Sequence, residues 1–181
     1  MRALFIALFA IILNANPIPS KTYSSVVSIN GNKITLSNPI GPVNTGGVVI
    51  RNINGKNYIT AYIKQSSNNS AQVVDLNYLG ANKLANIKPL IMPGDRVIGA
   101  FLYNKVLILA PNQDILRKVE YKLGVKSINP DYFKSYSNNS NKAILKEFAQ
   151  KVGIGLIIIV KDNKIKIYDP FSFTTINTIT L

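Results

Sequence analysis

Hydrophobic and polar positions follow two different rules along the chain, and the change comes near Pro93-Gly94. Before it, short apolar runs alternate with polar residues between clusters of Asn, Gly and Ser, the pattern of half-buried strands and tight turns. "YSSVVSI" and "KITL" flank Asn30-Gly31, and "GGVVIRNI" and "KNYITAYIK" flank Asn54-Gly55. Asn-Gly between two such runs predicts a two-residue type I′ turn, because both residues tolerate positive φ. "AQVVDLNYL" follows the polar loop Ser66 to Ser70 as a fifth strand. Short strands sharing one apolar face predict a small antiparallel β-barrel or sandwich over residues 17–94. Such a hairpin-rich unit also offers strand edges that a partner strand can join.

After Pro93-Gly94 helical spacing appears. "DRVIGAFLY" and "KVLILA" predict a further hairpin around Asn104-Lys105. The second run is apolar from Val106 to Ala110, so it predicts a central strand covered by helices on at least one side. Pro111-Asn112 ends that strand, with Asn112 as a helix N-cap and Asp114 in the first turn, where a negative charge suits the helix dipole. Ile115, Leu116, Val119 and Leu123 follow at helical spacing, and Gly124 fits the positive-φ stop. The same order recurs in "INPDYFKSY": Asn129 caps, Pro130 opens the helix, Asp131 adds the acid, and Tyr132, Phe133 and Tyr136 form the apolar part. A third helix is predicted from about Asn141 to Val152, with Ile144, Leu145, Phe148 and Val152 as its buried stripe and Gly153 as its end. "IGLIIIVKD" and "KIKIYD" pair across Asp162-Asn163, and "FSFTTINTI" adds a last strand. The expected fold is α+β: a small antiparallel barrel or sandwich, then over residues 95–181 an α/β sandwich with a mixed sheet and helices mainly on one face.

Composition narrows the chemistry. The chain has no His and no Cys, which removes Cys/His zinc sites, disulfides and any Ser-His or Cys-His nucleophilic pair. Eight carboxylates remain, at 75, 95, 114, 120, 131, 147, 162 and 169, spread along the chain. No enzyme, cofactor or metal is expected from this set. The strand end at Pro111-Asn112 lacks the glycines and the Lys-Ser/Thr of a phosphate loop. "KVGIGL" (Lys151 to Leu156) has two glycines, no third, and precedes a strand, so it is no dinucleotide fingerprint.

The first sixteen residues read as a signal peptide. Met1-Arg2 is a short positive start, Ala3 to Leu13 is apolar, and Ala15 offers a small residue for cleavage. The apolar run spans roughly half of what a transmembrane helix needs. The expected product is a periplasmic chain without an integral membrane span. Its formal net charge is +13 for the whole sequence. Export and the scatter of the lysines argue against a nucleic-acid partner, and "KIK" (Lys164 to Lys166) predicts lysines on a wet strand face with isoleucine beneath. No aromatic cluster with interleaved lysines marks the first half as a binding face for oligonucleotides or sugars.

A family resemblance rests on the order of three segments. "PGDRVIGAFLYNKVLILAPN", "INPDYFKSY" and "GLIIIVKDNKIKIYDPFSF" together resemble the N-terminal domain of plasminogen-binding protein A of epsilonproteobacteria. Gly94, Asp95, Tyr103, Ala110, Pro111, Asn112, Pro130, Asp131, Phe133 and Asp169 match its pattern, and the likeness covers roughly residues 46–173. The resemblance implies binding of host plasminogen, whose lysine-binding modules favour a C-terminal lysine. This chain ends "INTITL" at Leu181, so capture through a lysine tail is not expected. Domain-only exported members look similar to periplasmic accessory proteins that scaffold the disks around the flagellar motor of Campylobacter-like bacteria. The leading expectation is therefore a non-enzymatic periplasmic scaffold protein bound to other flagellar or envelope components. A lysine-dependent plasminogen-binding surface protein and a periplasmic ligand-binding protein are the alternatives. The matched residues are turn, cap and core positions, and none is carried over as a catalytic, cofactor, metal or partner-binding residue.

Overall fold

A computed structural model describes residues 17–76 and 91–181. The expected leader over residues 1–16 and the end of the fifth apolar run, residues 77–79, lie outside the described residues.

Six strands form a closed barrel: β1 (Thr22–Asn30), β2 (Lys33–Leu36), β3 (Gly46–Ile53), β4 (Lys56–Ser67), β5 (Ser70–Leu76) and β6 (Arg96–Gly99). Their order is β1-β2-β5-β4-β3-β6, and β6 pairs antiparallel with both β1 and β3. Bulges at Val26/Ser28, Val49/Ile50, Tyr62/Ile63 and Gln65/Ser67 bend the long strands into the closed wall. Alternate residues fill the lumen, among them Val26, Ile34, Leu36, Val49, Ile63 and Val97, all at most 2% exposed. The turn Asn54-Gly55 has φ of 51° and 80°, as a type I′ hairpin requires. The first hairpin differs by one residue. Asn30 pairs with Lys33, so the two loop residues are Gly31 and Asn32, and the glycine alone takes positive φ.

The second sheet has four strands: β7 (Val106–Leu109), β8 (Leu156–Lys161), β9 (Lys164–Asp169) and β10 (Thr174–Thr180), in the order β10-β9-β8-β7. β7 and β8 are parallel and the other pairs antiparallel, so the sheet is mixed. Between β7 and β8 run α1 (Gln113–Leu123), α2 (Pro130–Tyr136) and α3 (Lys142–Val152). Each helix begins at an asparagine: Asn112, Asn129 and Asn141 accept from the backbone N–H of Ile115, Asp131 and Ile144. α1 and α3 end at Gly124 and Gly153 with left-handed φ of 62° and 74°. The fold is thus α+β and mostly β, as the sequence predicts.

Several local expectations are corrected. Residues 96–99 and 106–109 do not form a hairpin. β6 closes the barrel, past Pro93-Gly94, while β7 starts the second sheet. Apolar runs alone do not say which sheet a strand joins, and the barrel lacked a sixth strand to close. β7 is an edge strand of its ladder rather than a central one, yet Val106, Leu107 and Ile108 are fully buried. Helices cover both of its faces, which corrects the expectation of helices mainly on one face. Val106 and Ile108 pack with Leu116, Val119 and Leu123 of α1, while Leu107 packs with Phe133, Leu145 and Phe148 of α2 and α3. Val152 is 48% exposed, and Ala149 takes its place in the buried stripe. Tyr132 and Tyr136 are also exposed, leaving Phe133 to anchor α2.

The registers arrange the α2/α3 face of the sheet in rows. Leu107, Ile157 and Tyr168 form one row, Ile159 and Lys166 the next, and Lys161 and Lys164 a third. The rows run from buried apolar residues to exposed lysines.

Candidate functional site: the joint between barrel and sandwich

The barrel and the sandwich meet through side chains that each unit buries against the other. Tyr62 stacks on Phe171 with ring centres 4.1 Å apart and planes within 10°. Asn44 Nδ2 donates to the Thr175 carbonyl across the joint at 3.1 Å.

At the centre lie two polar groups. The Gly46 N–H donates to the Tyr103 hydroxyl at 2.7 Å, and that hydroxyl donates to Asp169 Oδ2 at 3.4 Å. Ser172 supplies both its N–H and its hydroxyl to Asp169 Oδ1, each at 2.8 Å. Burial pushes the Asp169 carboxyl above the ordinary carboxylate range, and the donated hydrogen bonds offset part of that shift. Burial, together with the nearby Asp169 charge, likewise holds the Tyr103 hydroxyl well above the ordinary phenol value. Burial therefore disfavours the charged form of each group, while the hydrogen bonds tie barrel to sandwich.

The connector 100–105 is held tightly around these groups. Ala100 and Leu102 adopt positive φ of 50° and 60°, strained for residues with a side chain. The backbone compensates with Ala100 N–H to Gly46 O at 2.8 Å and Lys105 N–H to Leu102 O at 2.8 Å. Glycine is required at two positions here: a Cβ at Gly46 would overlap the Asp169 carboxylate, and one at Gly155 would overlap the Leu102 carbonyl group. Beside the connector an open groove of about 530 Å³ is lined by Ile18 to Lys21 and by residues 100–104.

The remaining motif residues fall elsewhere. Asp95 accepts two hydrogen bonds from Arg51, at 3.0 and 2.9 Å, and a third from the Met92 N–H at 2.8 Å, tying the start of β6 to β3. Ala110, Pro111, Asn112, Pro130 and Asp131 surround a small open hollow at the C-terminal end of β7. Asp131 pairs there with Lys134 at 3.1 Å, and Phe133 is core. No group of three or more acidic side chains gathers as a metal cluster among the described residues.

Among the described residues, strand edges are scarce. The barrel is closed, which corrects the expectation that the first half offers edges. The outer edge of β7 is filled where Ser127 Oγ accepts from the Ile108 N–H and Ile128 N–H donates to Val106 O. On β10, Asn44, Asn177 and Lys122 cap Thr175 O, Thr178 N and Thr180 O. Such capping blunts strand addition, so any partner of the described residues meets side chains first. No described helix is long and apolar enough to cross a membrane.

The model of the family described as "Plasminogen-binding protein pgbA N-terminal" matches residues 21–181. The chain belongs to that family. No curated protein and no solved structure matches it. The match takes in β1 through β10, so barrel and sandwich together make up the family's domain. Its span is wider than the three motif segments, which sit mainly in the sandwich and its connector.

Proposed function

We propose that this domain is a non-catalytic protein-binding module of an exported protein, and that its partner is plasminogen or a protein of similar lysine-recognising chemistry. Family membership carries this reading. The capped edges favour recognition by surface side chains. An excess of lysines and arginines over acids, 21 against 8, supplies the charge that a lysine-recognising protein reads. The mature chain, immobilised on a sensor surface, is expected to bind plasminogen and to release it in the presence of a soluble lysine analogue. No binding in low salt would overturn the plasminogen reading.

A second reading is a periplasmic scaffold attached to the flagellar motor or envelope; two units joined by buried hydrogen bonds and a ring stack suit a structural role. Under it, a deletion strain swims abnormally or builds altered motor disks, and the purified protein binds plasminogen weakly. Normal motors in that strain would leave the first reading alone.

A further inference from the structure

The open half of the sandwich sheet carries a charge arrangement that folding does not call for. Lys161 and Lys164 face each other across β8 and β9, with Cβ atoms about 5 Å apart, where like charges are destabilising. Lys166 stands two residues along β9 on the same face, about 7 Å away. All three are exposed, and no carboxylate pairs with them among the described residues. Asp95, Glu120, Asp131, Glu147 and Asp169 are engaged elsewhere. Three exposed lysines thus share this sheet face with no ion pair to offset their repulsion among the described residues.

Beside the lysines lies an apolar margin. Tyr168 and Phe173 are half-buried and stacked, with centroids 5.3 Å apart, and Lys142 Nζ stands 5.4 Å from the Phe173 ring centre. These rings are occupied by each other and by Lys142, so they offer little platform for stacking nucleic-acid bases. What remains is cations next to aliphatic and ring-edge surface. A carboxylate-bearing protein segment with apolar side chains between its acids satisfies both.

We infer that this ledge, built from Lys142, Lys161, Lys164, Lys166, Tyr168 and Phe173, docks an acidic, apolar protein segment. The inference rests on the protein-binding reading above and assigns its contact face to internal lysines of β8 and β9. Partner carboxylates sit between Lys161, Lys164 and Lys166 and relieve their repulsion, while an apolar side chain covers Tyr168 and Phe173.

The test uses the mature chain and a fluorescein-labelled peptide in which Asp and Glu alternate with Leu and Phe. Binding is followed by anisotropy at two salt concentrations, with plasminogen, heparin and a single-stranded oligonucleotide as further ligands. The triple variant Lys161→Glu/Lys164→Glu/Lys166→Glu is expected to lose peptide and plasminogen binding at least tenfold. The charge-matched control Lys33→Glu/Lys56→Glu/Lys126→Glu, whose sites are exposed and outside the ledge, is expected to lose less than threefold. Equal losses in the two variants would overturn the assignment, as would heparin or oligonucleotide binding tighter than the peptide. Peptide binding at the ledge without plasminogen binding would support the ledge and sink the plasminogen reading. Plasminogen binding that survives in the triple variant would do the reverse. As a check independent of the variants' folding, amide NMR shifts on wild-type titration should concentrate in residues 159–168 and at Phe173. Shifts centred on the barrel would sink the inference.

Discussion

Tyr103 and Asp169 are 66 positions apart in sequence and meet through one hydrogen bond at the centre of the molecule. Tyr103 lies in the connector that leaves the barrel, and Asp169 ends β9 of the sandwich. The Gly46 N–H of the barrel completes the chain of donors at 2.7 Å from the Tyr103 hydroxyl. The two units are therefore joined by buried polar groups as well as by the Tyr62–Phe171 stack.

Removing the Tyr103 hydroxyl leaves the buried Gly46 N–H without its partner. Tyr103→Phe is expected to lower stability by about 1–3 kcal/mol, the cost of an unpaired buried donor. Chemical denaturation at pH 7 measures it. An effect within experimental error would mean that water reaches Gly46.

Gly155→Ala tests the packing of the connector. The new Cβ would overlap the Leu102 backbone, which cannot move without disturbing Tyr103. The expected loss is roughly 3 kcal/mol or more, in the upper range for point changes. Gly31→Ala makes the comparison: its Cβ meets nothing within 4 Å, although φ is +58°. There the cost should be about 1–2 kcal/mol, from left-handed backbone alone. Similar losses for the two variants would show that the connector yields.

What the sequence made legible was local. Asn112, Asn129 and Asn141 announce three helices because a cap bonds within its own first turn. Asp162-Asn163 marks a hairpin because its positive φ values are set by two residues. The alternation of Lys164 to Ile167 predicts which side of β9 is wet, and the burial follows it. What stayed hidden was non-local. The apolar runs 96–99 and 106–109 look like hairpin partners, and only barrel closure sends them to different sheets. The motif singled out Tyr103 and Asp169 as separate fold positions, yet their contact depends on how two units dock. The lysine ledge was half visible: "KIKIYD" gave its cations, while Phe173, Lys142 and the opposing Lys161 come from register and from helix placement.

The corrected stripe of α3 separates two substitutions that the sequence pattern treats alike. Phe148 is 3% exposed and packs edge-on against Phe133, with centroids 5.2 Å apart. Phe148→Ala should cost about 3–5 kcal/mol through lost burial and a cavity. Val152→Ala, on an exposed position of the last turn, should change stability by less than about 0.5 kcal/mol. Paired urea melts decide it, and a large Val152 effect would return that residue to the core.

Asp169 gives the joint a pH dependence of defined sign. Its folded carboxyl is raised above the ordinary value of 3.8, chiefly by burial. The folded state therefore holds the proton more tightly than the unfolded chain does. The stabilisation linked to this group is fully present below pH 3.8 and declines as pH rises through the raised folded value. Tyr103 follows the same rule in the alkaline range, since its folded value is raised above 10.0. Asp169→Asn keeps an acceptor for Ser172 and removes the buried charge. The variant should gain stability relative to wild type at pH 7 and lose that advantage as the wild-type carboxyl takes up its proton on acidification. Thermal melts of both proteins from pH 3 to pH 8 measure the difference directly. A variant that is less stable at pH 7 and equally so throughout would show that the ionised carboxylate is favoured in the joint. The Ser172 donors would then outweigh desolvation.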